Sequence, residues 1–246
     1  MSLSSQSSVL PAYDVVIPCF DRSALIEDAV ASVLAQSHRP ARIIVVDDGS
    51  DDDTPDVLAR MEQRQAIVQA VLLPRNQGAS GARNAGLALA RETWVAFLDS
   101  DDRWLPDAAK ALLGAAAADR LDVIVGHFRR AWPDGRIDER ECGWNGEDIR
   151  AGLARTGAVG PSWSMIRTAT ARSVGGFDPS FHNCNDWDFY TRAAAAGARF
   201  GRIDEAVALY HCAETGRLSH DRLLGGTNAA RVLSHRYLAS AGPRTL

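Results

Sequence analysis

Residues 43–54 read IIVVDDGSDDDT. Four β-branched apolar residues give way at once to acids and a glycine. That pattern describes a buried strand whose carboxyl end reaches a polar rim. Working outward, Tyr13–Cys19, Ile67–Leu73 and Trp94–Leu98 are apolar runs of strand length. Between them the spacing becomes helical. Ala24–Gln36 sets Ile26, Ala29, Val30, Val33 and Leu34 on one stripe. Thr54–Arg64 and Ser80–Arg91 read as further helices, with Ser80 a candidate N-cap, and Pro106–Ala118 as an Ala/Leu helix with proline near its first turn. Strands alternating with helices need crossover connections, so the chain is expected to be an α/β domain with a mostly parallel central sheet flanked by helices. Ligands of such sheets bind outside the carboxyl ends of the strands. Three polar clusters fall there: Asp21 with Arg22, Asp47 with Asp48, and Asp99 with Asp101 and Asp102.

The second half is less regular. Asp122–Phe128 and Val159–Arg167 are expected strands, Trp132–Gly146 a loop or small hairpin, Asp186–Ala196 a helix and Ala206–His211 a short strand. There is no internal repeat and no low-complexity linker, so one compact domain is expected over residues 13–215. Its halves are a nucleotide-binding part, 13–118, and an acceptor part, 119–215. Residues 1–12 read as a disordered leader and 216–246 as a helical tail.

Composition narrows the class. The 246 residues suffice for a sizeable core, and a formal net charge of -4 provides no basic field for nucleic acid. The Ser-rich start has no apolar signal region, and no run has the length of a membrane span. The expected place is the cytoplasm, with docking on a membrane surface left open. Cys19, Cys142, Cys184 and Cys212 form no C-x-x-C pair, so reduced thiols are expected rather than a zinc site.

The segment Asp99-Ser100-Asp101-Asp102 directly follows an apolar strand. Side chains alternate at a strand end, so Asp99 and Asp101 can point the same way. Two hard oxygen ligands on one side suit Mg2+ or Mn2+ with substrate phosphates. A short acidic motif can equally be a solvated turn or a helix cap. That reading has also to explain the second acidic strand end, at Asp47 and Asp48.

The order of motifs resembles family 2 glycosyltransferases. VVIPCFDR at 15–22 is similar to their opening strand, SVLAQS at 32–37 to the end of the first helix, and residues 43–54 to the second strand and turn. NQGAS at 76–80 with ARNAG at 82–86, WVAFLDSDDRWLPD at 94–107, GGFD at 175–178 and NDWD at 185–188 follow in the same order. The likeness covers residues 13 to about 192. It implies the GT-A fold, a Rossmann-like nucleotide-binding sheet joined to a smaller acceptor-side sheet. The implied reaction is inverting transfer of a sugar from a nucleoside diphosphate, most commonly UDP, onto a carbohydrate, lipid-linked or small-molecule acceptor.

The resemblance also implies roles. Pro18, Phe20, Asp48, Arg83, Asp99 and Ser100 match donor-binding positions. Phe20 would lie beside the base, although core packing is its other reading. Asp48 would accept from a pyrimidine N–H. Arg83, at a predicted helix start, would reach the diphosphate or form a surface salt bridge. Asp101 is the principal ligand expected for Mn2+ or Mg2+, with Asp99 beside it. His211 is a further ligand candidate, although its spacing is irregular and a structural role competes. Asp186 would be the general base, a position where an acid would also serve a helix start. Asp188, two residues on, faces elsewhere. Trp132, Trp144, Trp163 and Trp187 fall in the acceptor part, where one or two could meet a sugar. The family usually has Glu where this chain has Asn185, so the base falls on Asp186 alone. A catalytically silent nucleotide-sugar-binding protein is therefore the alternative. The loop after the first strand has no glycine, against a nucleotidyltransferase, and no G-x-G-x-x-G follows it, against a dehydrogenase.

Overall fold

A computed structural model describes residues 10–212 and 222–239. Most of the expected leader and the ends of the expected tail lie outside them. The first half contains β1 (Tyr13–Cys19), α1 (Ile26–Leu34), β2 (Arg42–Asp47), α2 (Thr54–Arg64), β3 (Val68–Leu72), α3 (Gly78–Leu89), β4 (Trp94–Phe97), β5 (Arg103–Trp104) and α4 (Ala108–Asp119). The second contains β6 (Val123–Ala131), β7 (Ile137–Arg140), α5 (Ile149–Leu153), a 3-10 turn at Pro161–Trp163, β8 (Ser164–Arg167), α6 (Thr168–Ser173), α7 (Asn185–Ala195), β9 (Phe200–His211), α8 (Arg222–Leu233) and α9 (Arg236–Ala239).

The strands form one sheet in the order β3-β2-β1-β4-β8-β6-β9-β5, with β7 paired to β6. The β3-β2-β1-β4 portion is parallel. The acceptor-side strands join it edge to edge through the antiparallel pairing of β4 with β8. Register levels Cys19 with Asp47 and Val16 with Phe97, so the loops after β1, β2 and β4 open on one rim. This is the shared edge expected from the three polar clusters.

Every residue of β1 is buried. Its alternation divides the core: Val15 and Ile17 face α1, α2 and α4, whereas Val16 faces α3 and α7. A buried Val or Ile contributes roughly 1.5–3 kcal/mol, so this strand is a large part of what holds the two layers. Helix α3 lies against it at Gly86, where an added Cβ would come within 2.3 Å of Val16 Cγ1.

Three expectations are corrected. Ser80 is not an N-cap: α3 starts two residues earlier, after Gln77, and Ser80 is buried in its first turn. Asn76 Oδ1 accepts from Gly78 N–H at 3.0 Å, and Gly78 turns with φ +78°, so the chain enters the helix there. The strand expected over Val159–Arg167 is only Ser164–Arg167. Pro161 has no N–H for the ladder and opens the 3-10 turn instead. The last strand begins at Phe200, well before Ala206, because its half-exposed polar first part is paired in parallel to β6. Residues 132–146 do begin as a hairpin, β6 to β7.

Candidate active site

The rim opens into a cavity of about 990 Å3. Pro18, Phe20, Asp48, Arg83, Asp99, Ser100, Asp101 and Asp186 all line it. The structure thus brings together every expected site residue except His211, whose neighbour Tyr210 is on the wall.

On the donor side, Phe20 is 37% exposed and faces the cavity, so the core-packing reading is overturned. Asp47 is spent on the turn, accepting from Ser50 N–H at 3.2 Å and from the Ser50 hydroxyl. Gly49 makes that turn with φ +76°, and a side chain there would run into the Arg75 backbone at 2.9 Å. Asp48 is buried, and its Oδ1 accepts from Gln77 N–H at 2.8 Å. Burial raises its pKa, and the Gln77 and Gly78 amides offset only part of that.

After β4, ligand atoms of Asp99, Asp101 and Asp102 lie within 4.8 Å of one another. Asp102 is the buried member. Its Oδ2 accepts from Ser162 Oγ at 2.7 Å and its Oδ1 from the His211 backbone N–H at 3.2 Å. His211 therefore supports the cluster through its backbone, and its ring is not in that group among the described residues. Ser162 Oγ also accepts from Asp99 N–H at 3.2 Å, tying the acidic loop to the 3-10 turn.

Arg83 is not at a helix start but midway along α3, on the face turned to the sheet, and it is buried. The surface salt bridge is thereby excluded. Nη2 donates to Asp99 Oδ1 at 2.6 Å and Nη1 to Asn185 Oδ1 at 3.1 Å, and the guanidinium lies over the Phe177 ring at 5.2 Å. Nε has no partner among the described residues. Arg83 thus joins the donor acids to the first turn of α7. Cys184 enters that helix in the left-handed region, φ +57°, and turns Asp186 to the cavity.

Trp187 N–H holds Asp186 Oδ1 at 2.8 Å. Burial raises the Asp186 pKa above the usual carboxylate range and Asp99 adds to it. The Arg83 charge and the Trp187 amide oppose this without cancelling it. Asp188 faces away and pairs with Arg192 at 2.7 Å, as its position predicts. Of the four tryptophans in question, Trp163 and Trp187 line the cavity. Trp144 is buried in the core and Trp132 bonds Asp138. None of the four cysteines forms a disulfide among the described residues.

A sequence profile described as Glycosyl transferase family 2 matches residues 14–169. The chain belongs to this family. The Bacillus subtilis (strain 168) glycosyltransferase TuaG, provisionally named for teichuronic acid biosynthesis, is 44% identical over 97 residues, 39% of this chain and 38% of its own length. A Campylobacter jejuni GalNAc(5)-diNAcBac-PP-undecaprenol beta-1,3-glucosyltransferase is 35% identical over 108 residues, 44% of this chain and 35% of its own. The chain therefore spans well under half the length of these relatives. S. aureus TarS 1-349, solved in complex with UDP-GlcNAc, superposes with a TM-score of 0.72 at 19% identity over 90% of this chain and 70% of that one. This shows the fold, GT-A.

Several contacts around the cavity of this family 2 chain escaped the sequence. Asp102 was readable as the third acid of its motif, but its partners Ser162 and His211 lie 60 and 109 residues away. The stack of Phe128 on Trp163, at 4.2 Å between centroids, joins β6 to the 3-10 turn with no local signal. Arg130 had one: strand alternation puts it on the same face as Phe128.

Proposed function

We propose that the chain is an inverting, metal-dependent glycosyltransferase. The donor would be a nucleoside diphosphate sugar, with UDP the first candidate. The acceptor would be a hydroxyl of a carbohydrate, lipid-linked or small-molecule substrate. One observation carries the reading: Asp99 and Asp101 of a three-carboxylate cluster share one cavity with Asp186, and a buried arginine joins Asp99 to Asn185, beside Asp186.

The cluster fits a hard divalent cation. It offers three carboxylates within 4.8 Å, the donor set expected for Mn2+ or Mg2+. Asp101 and Asp99 would hold the ion, which when bound would neutralise charge on the diphosphate as it leaves. The chain's own residues do the rest. Phe20 offers an aromatic face to the base, and Asp48 offers a carboxylate oxygen to a pyrimidine N–H. Asp186 takes the proton from the acceptor hydroxyl as that oxygen attacks the anomeric carbon. Its raised pKa makes it a stronger base than an exposed aspartate, and attack opposite the diphosphate inverts the centre. A UDP-sugar is favoured because a protein of the same fold was solved with UDP-GlcNAc. Among the described residues no helix is long and apolar enough to cross a membrane. A cytoplasmic place with peripheral membrane contact fits the reading.

The silent binding protein stays as a second reading because of Asn185, which uses its oxygen on Arg83. Calorimetric titration of UDP, GDP and dTDP, each with Mn2+ or with EDTA, tests both on wild type and Asp101→Ala. Metal-dependent binding of one nucleotide, lost in Asp101→Ala, supports the site. No binding under any condition sinks it. Donor binding without sugar release in any acceptor mixture would favour the silent protein.

A further inference from the structure

Among the described residues, the acceptor wall holds a cation without a counter-charge. Arg130 lies on β6, two residues beyond Phe128, so both project to one face. Its register neighbours are Asp138 on β7 and Tyr210 on β9. Asp138, the acid directly opposite, is already committed: it bonds Trp132 Nε1 and pairs with Arg140 at 2.6 Å. Glu139, the next acid, pairs with Arg129 at 2.7 Å. Glu141 is exposed on the cavity wall, and among the described residues no carboxylate lies within 4.0 Å of Arg130. Arg130 is half-buried, and its Nε is buried with no hydrogen-bond partner among the described residues.

Beside it stands an aromatic surface. Phe128 stacks on Trp163, and Tyr210 meets both edge-on at 6.0 and 6.2 Å. All three line the cavity with Arg130. Trp163 Nε1 is a second buried donor without a partner among the described residues. A buried donor left unmade costs free energy, and an unpaired cation costs more. Two such donors on one wall, next to aromatic faces, describe a site complete only when an acceptor-rich anion occupies it. A guanidinium fork matches carboxylate and phosphate oxygens.

We propose that Arg130 and the Phe128–Trp163–Tyr210 surface bind an acceptor carrying a carboxylate or phosphate group on or next to its sugar ring. This deepens the transferase reading and rests on it for the word acceptor. Arg130 would be a specificity residue that holds the substrate's anion away from the reacting hydroxyl.

The test is a binding titration followed by tryptophan fluorescence, with UDP and Mn2+ present. The probes are methyl β-glucuronide, glucose 6-phosphate and the neutral methyl β-glucoside. On wild type, one charged probe is expected to bind about tenfold to a hundredfold more tightly than the neutral one, the range a charge-assisted bond supplies. Arg130→Gln should erase that preference, and Arg130→Lys should retain part of it. UDP affinity should be unchanged in both variants, which also reports that they fold. The charged probe whose preference depends on Arg130 names the anion. Equal binding of charged and neutral probes to wild type would overturn the proposal, as would a preference that survives in Arg130→Gln. A loss of UDP affinity in Arg130→Gln at an unchanged urea midpoint would overturn it too, assigning the residue to the donor diphosphate. Should UDP fail to bind wild type, the transferase reading falls, and the charged-over-neutral comparison still decides the anion site.

Discussion

Asp186 is under two opposing demands. Chemistry wants it ionised at the cavity, whereas burial penalises the ionised form and raises its pKa. The folded chain therefore binds this proton more tightly than the unfolded chain does. The stability that the protonated form supplies is complete below the unfolded pKa, about 3.9, and is lost as pH rises through the higher folded value. At pH 7 the carboxylate is a net cost to the fold. Asp186→Asn should thus raise the urea midpoint at pH 7, and the gain should vanish below about pH 3.9. Sugar transfer should fall by about 10²–10⁴, the usual contribution of a general base, while UDP affinity holds. Wild-type transfer should fall as pH drops through the raised pKa. A loss of stability in the variant at pH 7 would show that the Arg83 charge, not burial, dominates at this position. The residue type at 186 was readable because an acid opens a helix there. That this acid is poised as a base depends on Asp99 and Arg83, 87 and 103 positions earlier.

Helix α3 sets the donor side of the site because it carries Arg83, and its seat on β1 is Gly86. Alanine there has better helix propensity by about 1 kcal/mol. Its methyl, however, would fall 2.3 Å from Val16 Cγ1, inside a fully buried strand. Overpacking of this kind costs about 1–3 kcal/mol, so the clash is expected to win. Gly86→Ala should be destabilised, and it should bind UDP more weakly because Arg83 sits one turn away. Adding Val16→Ala makes room, so the double variant should be more stable than the two single changes predict by about 1 kcal/mol. Urea midpoints of the four proteins measure that term. Strict additivity would mean that the helix yields without cost. Elements of this half were legible because their signal is local: a continuous apolar run in Tyr13–Cys19, a helical stripe from Ile26 to Leu34, acids at the strand ends. Two later strands lacked that signal. Arg103–Trp104 is a two-residue strand created by pairing with Leu209 and Ala208, and no periodicity can announce it. Phe200–Glu205 is polar and half-exposed, and is a strand because β6 lies beside it.

At the scale of the molecule, the parallel half of the sheet concentrates negative charge. Asp48, the pair Asp99 and Asp101, and Asp186 come from three separate segments and meet around one cavity, in a chain whose formal net charge is already -4. Like charges on one rim oppose the compact state, and a ligand that neutralises them favours it. Convergence was foreseeable from the parallel topology, and its sign from the residue types. Closure of the ring through Arg83 and Asn185 was not, because it spans 102 positions. The thermal consequence follows from linkage. A ligand at a hundred times its Kd stabilises the folded chain by about 2.7 kcal/mol. For a chain of this size each kcal/mol moves Tm by about 2–4 °C. Mn2+ and UDP together should therefore raise Tm by about 5–10 °C at that saturation. UDP with EDTA should give little, because the diphosphate would then face the acids unshielded. Asp101→Ala should show the small shift under both conditions. A full shift with EDTA would remove the metal from the donor site and leave the diphosphate to the arginines of the cavity, Arg83 among them.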